Sequence, residues 1–166
     1  MSENKGGKEG FTLGLALMDA IPCIAFGVDM LMLSKPLKST LFLIGALFVF
    51  AAGMFMVIYK LCLAIAKKEY PGLKKAMPIV MSAGWIMIII ALIIKRKMIS
   101  FTGIWAGISS MPACIFFIAG LVSFIAFITY FKTKFNADSA KDNWVEEILN
   151  ALTQTCFMIG VILATM

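Results

Sequence analysis

An all-α bundle of five membrane-spanning helices is the fold that this 166-residue sequence predicts, from three observations. The first is five long apolar stretches, roughly Phe11–Leu33, Leu41–Ala66, Met77–Ile94, Phe101–Phe131 and Val145–Met166, which fill almost the whole chain. A bilayer core needs about 20 mostly apolar residues per helix. Four stretches meet that length easily and the third just does. The second is composition: apolar residues make up 61% and charged residues 14%, whereas a soluble domain is about half apolar and about 25% charged. With a mean hydropathy of +0.97, a water-soluble fold of this size has too little interior for its apolar surface, so lipid closes part of the core. The third is that nearly every Lys and Arg lies in a connection between stretches. No polar linker is long enough to separate two units, so residues 1–166 read as a single integral membrane domain.

The first helix follows a short polar tail, Met1–Gly10. Its apolar run exceeds the roughly 7–15 residues of a signal-peptide core, and no small-residue cleavage site interrupts it. It is expected to remain as the anchor. Ser34-Lys35-Pro36-Leu37-Lys38-Ser39 reads as a tight turn in which Pro36 stops the first helix and Ser39 caps the second. The second helix runs into Lys67-Lys68-Glu69-Tyr70-Pro71-Gly72, where cations complement the negative end of the helix dipole and Pro-Gly breaks the chain. Pro78 fits the first turn of the third helix, where a missing N–H is tolerated.

The fourth stretch has two readings. Phe101–Phe131 is either one long helix kinked at Pro112, which is preferred, or a complete span opened by Pro112 and preceded by an interfacial or re-entrant piece over Ser100–Met111. Asn136–Asn143 is the one markedly polar connection. Asn143 with Glu146 three residues on matches a capping box, which starts the fifth helix at Trp144, an aromatic suited to the interface. Gly45, Ala52, Gly53, Ala119 and Gly120 permit close helix approach. The pairs Ile21-Pro22, Met77-Pro78 and Met111-Pro112 recur, but their flanks do not align, so no internal repeat is read.

Orientation follows from the loops. One side carries Lys5, Lys8, Lys67, Lys68, Lys74, Lys75, Lys132, Lys134 and Lys141; the other carries Lys35, Lys38, Lys95, Arg96 and Lys97. The excess of positive charge marks the cytoplasmic side. The N-terminus is therefore expected in the cytoplasm and the C-terminus outside. These basic clusters sit at headgroup level and attract anionic membrane lipid; with no folded polar domain to carry them, they are not a nucleic-acid footprint.

Several chemistries find no support. Cys23, Cys62, Cys114 and Cys156 fall one to a helix, no CxxC pair exists and the chain has no His, so zinc and haem spacings are missing. The 13 Met residues form no regular ladder and read as packing rather than a soft-metal path. No nucleophile elbow or phosphate-cradling glycine loop appears. No catalytic residue, metal ligand or cofactor is assigned.

What remains is a short set of polar residues placed where they are costly. Asp19 lies near the middle of the first helix, three residues before Pro22, whose ring frees the Met18 carbonyl. A carboxyl beside such a break can serve a cation or proton site, or can bond a neighbouring helix and hold the bundle together. Asp29 lies about 80° around the helix and about 15 Å further along, at headgroup level. Lys60 sits about one and a half turns before the end of the second helix. The first two helices are antiparallel neighbours, so Asp19 and Lys60 share a depth to within about 6 Å. Lys60 either pairs with Asp19 or snorkels to the surface. Glu147, Asn150 and Gln154, at i, i+3 and i+7, form a polar stripe that should face helices or water.

These residues point to a polar cavity in the cytoplasmic half, with Asp19 as ionisable centre, Lys60 as its partner and the stripe as lining. The expected function is transport of, or binding to, a small solute or ion. An accessory or scaffold subunit is the alternative, and a membrane-embedded lipid-modifying enzyme the third reading. A chain this short is expected to act as a homo-oligomer or beside a partner subunit.

Overall fold

The structure is a computed structural model, and it describes residues 12–68, 70–134, 136 and 139–166. Lys5, Lys8, Phe11 and Glu69, which entered the sequence reading, lie outside the described residues. Among the described residues six α-helices follow in order: α1 (Leu13–Leu37), α2 (Thr40–Ala66), α3 (Pro71–Ile94), α4 (Phe101–Ser109), α5 (Ala113–Thr133) and α6 (Ala140–Thr165), with a 3₁₀ turn over Arg96–Met98. Among the described residues there is no strand. All but α4 are long and apolar enough to cross a membrane. The chain is a multi-pass integral membrane protein.

The helix starts are set by local chemistry. Thr12 Oγ1 accepts the Leu15 N–H at 3.2 Å, Ser39 Oγ accepts that of Phe42 at 3.3 Å, and Ser100 Oγ accepts that of Gly103 at 3.1 Å. Each satisfies a donor that the first helical turn leaves without a carbonyl partner. Pro71 occupies the start of α3, where its missing N–H removes nothing.

Four boundaries differ from the sequence expectation. Pro36 does not stop α1, which runs on to Leu37 and ends with Lys38 in the left-handed region at φ 44°. A proline in a last turn removes one hydrogen bond, and the αL residue ends the helix. The third helix begins at Pro71 rather than Met77, which leaves Pro78 about two turns inside it. The fourth stretch is not one kinked helix. It is the short α4, a break over Ser110–Pro112, and the complete span α5. Ser110 is extended, with ψ 140°, which ends the helical run two residues before Pro112. The last helix starts a turn earlier than Asn143. Ser139 Oγ accepts the Asp142 N–H at 3.3 Å, and Asp142 also accepts the Tyr130 hydroxyl at 2.6 Å and the Asn136 N–H at 3.2 Å. One carboxylate thus ties the end of α5 to the start of α6, and the buried Asn143 falls inside the helix.

The helices pack in a row whose order is α3, α2, α1, α6, α5, with α4 against the last two. Small residues bring α2 and α3 together. A Cβ on Gly45 would lie 2.8 Å from the Gly84 carbonyl oxygen, and one on Gly84 would lie 2.7 Å from that of Gly45. Phe42, Val49, Ile88 and Ala91 close this seam, backed by Phe26, Met30 and Leu33 of α1. Between α5 and α6, Gly120 receives the Phe157 ring and Gly160 that of Phe117. Thr153 Oγ1 donates to the Leu149 carbonyl at 2.7 Å and lies 3.0 Å from Ser123 Oγ. Such buried hydroxyls replace the water that lipid cannot supply. Gly14 against Trp144 sets α1 and α6 running in the same direction. Their starts, the end of α2 and the start of α3 therefore share one face of the bundle, called here the tail face.

Candidate functional site: a carboxylate–lysine cleft

Lys60 stands where α2, α1 and α6 meet. Its Nζ is 3.0 Å from Asp19 Oδ2 and donates to Glu147 Oε1. Asp19 and Lys60 are each 13% exposed along their side chains and Glu147 5%. Lys60 does not snorkel; it is held between two carboxyl groups. Three helices meet at one ammonium because α1 lies between α2 and α6, and each polar residue sits about one and a half to two turns from the tail-face end of its helix.

This cluster lines a cleft of about 360 Å³. The walls are α1 through Asp19, Pro22, Cys23 and Phe26, α2 from Val49 to Lys60, α3 through Met77, Met81 and Trp85, and α6 through Glu146, Glu147, Asn150 and Gln154. The lining is graded in depth. Asp19, Lys60, Glu146 and Glu147 sit toward the tail face. Phe26, Phe50 and Trp85 lie deeper, with Phe26 and Trp85 in edge contact at 5.9 Å. From Glu146 to Gln154 the cleft extends about 12 Å at the helical rise per residue.

The cluster is unbalanced. One ammonium faces the carboxyls of Asp19 and Glu147, with Glu146 a third on the same wall. Glu147 Oε2 is buried and has no hydrogen-bond partner among the described residues, and Asp19 Oδ2 has ion-pair contact without an aligned hydrogen bond. A buried acceptor left unmatched costs about 1–3 kcal/mol, and more when charged. A donor, a proton shared between the two carboxyls, or a cation would remove the mismatch.

Of the residues singled out from sequence, five line this cleft: Asp19, Lys60, Glu147, Asn150 and Gln154. Asp29 is not among them. It was expected at headgroup level, yet it is 6% exposed within α1 and its Oδ1 has no hydrogen-bond partner among the described residues. The extension of α1 to Leu37 leaves Asp29 about two turns below the helix end, where an end at Leu33 would leave it about one.

Sequence reasoning missed Glu146 as a lining residue, having used it as a cap. A signal existed, since Glu146, Asn150 and Gln154 stand at i, i+4 and i+8, also one helical stripe. It missed the whole α3 wall, because Trp85 and Met81 sit in an apolar run whose inward face has no polar mark. Among the described residues no three His, Cys, Asp or Glu side chains group as metal ligands. No protein-family model matches the chain, and neither a curated protein nor a solved structure is significantly similar to it.

Proposed function

We propose that this chain is a transport-type or ligand-binding membrane protein that takes a small solute into the carboxylate–lysine cleft. The observation that carries the reading is the buried, unpartnered Glu147 Oε2 on the wall of a 360 Å³ cleft. Pockets for small ligands occupy about 300–1,000 Å³ and pair apolar walls with a few converging polar groups, which describes this lining. The distribution of Lys and Arg supports an orientation with the tail face, and so the charged end of the cleft, on the cytoplasmic side.

A second reading is favoured by one feature: the same lysine joins three helices, as a structural clamp in an accessory subunit would. Asn150 and Gln154 separate the two, because they line the cleft but make no part of the clamp. Replacing both with Leu in proteoliposomes should abolish solute binding or flux and leave the fold intact. A loosened bundle or subunit contact with no change in binding would favour the clamp. Full binding and unchanged assembly would defeat both.

A further inference from the structure

The chemistry of the cleft narrows its ligand, given that it binds a solute as proposed above. Three carboxyl groups, Asp19, Glu146 and Glu147, face one ammonium. Anions are repelled by that excess. Small hard cations such as magnesium or calcium need converging oxygen ligands, and among the described residues no three carboxyl groups converge in that way. What the cleft offers is an acidic end toward the tail face and, about two turns deeper, an aromatic end. The faces of Trp85 and Phe26 attract both apolar groups and cations.

We propose that the cleft binds an amphipathic organic cation. Its charged head lodges among Asp19, Glu146 and Glu147, and its apolar body lies against Phe26 and Trp85. Lys60 is the resident cation that the ligand displaces. Its flexible four-carbon stem lets the ammonium swing about one and a half turns toward the tail-face headgroups. The free oxygen of Glu147, on a side chain 95% buried, is covered while Lys60 is in place and is reached by the head as the lysine leaves. In this exchange Lys60 competes with the ligand, so its removal should strengthen binding even as it weakens the fold.

The test uses the full chain in lipid nanodiscs with benzyltrimethylammonium and its neutral carbon isostere, neopentylbenzene. Binding is followed by calorimetry and by tryptophan fluorescence, with Trp85→Phe to identify the reporting ring. The cation should bind saturably and at least about tenfold more tightly than the isostere, a tenfold change being about 1.4 kcal/mol. Glu147→Gln should weaken cation binding by about tenfold or more, and Lys60→Met should strengthen it by about tenfold. Cation binding that Glu147→Gln leaves unchanged, or that Lys60→Met weakens, overturns the proposal. If the isostere binds as tightly as the cation, the cleft takes solutes but not by charge, and only this inference falls. If neither probe binds any variant, the solute-binding reading falls with it. Should Lys60→Met fail to assemble, the charge preference of the unmodified chain and the response of Glu147→Gln still decide.

Discussion

Replacing Lys60 with Met is the most informative single change, because it separates charge from packing at the junction of three helices. Methionine keeps much of the lysine stem's volume and flexibility. What it removes is the ammonium shared by Asp19 and Glu147, on side chains that are 13% and 5% exposed. Breaking a buried ion pair by deleting one partner costs about 3–5 kcal/mol, since the other charge is left uncompensated. Here two carboxyls are stranded together, so the upper end of that range is expected. Total stabilities lie at about 5–15 kcal/mol, so the loss is a large share of the whole. Asp19→Asn should cost less, because Lys60 keeps Glu147. The triple variant Lys60→Met, Asp19→Asn, Glu147→Gln strands no charge and should recover most of the loss, as neutral replacements of buried ion pairs do. The assay is SDS-induced unfolding in mixed micelles, followed by circular dichroism. A Lys60→Met variant within about 0.5 kcal/mol of the parent, the range of neutral surface changes, would refute the reasoning. So would a triple variant as unstable as the single one, which would locate the effect in packing rather than in charge.

Other expectations follow from the same geometry. Gly84→Ala places a Cβ 2.7 Å from the Gly45 carbonyl oxygen and 2.9 Å from the Val49 backbone nitrogen. It should lower stability by about 1–3 kcal/mol, whereas Gly72→Ala, with nothing within 4 Å, should be close to neutral in the same unfolding assay. Thr153→Val removes the hydroxyl that links Leu149 and Ser123; a loss of about 0.6–1.7 kcal/mol is expected for such a membrane hydrogen bond, and Ser123→Ala should add a further loss, because Ser123 Oγ also donates to the Leu149 carbonyl at 3.3 Å. In a cysteine-free background, a membrane-impermeant maleimide applied to intact cells should label Lys97→Cys and spare Gly72→Cys. The reverse pattern would invert the proposed orientation.

Length and hydropathy determined the number of spans, because the cost of exposing a helix backbone or a charge to hydrocarbon is local and can be summed along the chain. Ser39 as a cap was legible for the same reason, since its partner Phe42 is three residues away. The matched depth of Asp19 and Lys60 was legible from a short turn between antiparallel neighbours. The tertiary structure alone decided that Glu147 joins them, because α6 lies beside α1 although more than a hundred residues separate them in sequence. It also decided that Trp85 and Met81 line the cleft, that Asp29 is buried away from it, and that the chain breaks over Ser110–Pro112. Lipid is as apolar as a leucine-rich helix, so hydrophobicity marks a span without choosing its neighbour or its inward face. Those choices rest on close approaches such as Gly45 to Gly84 and on the few polar groups that must find partners, and both depend on residues far apart in the chain.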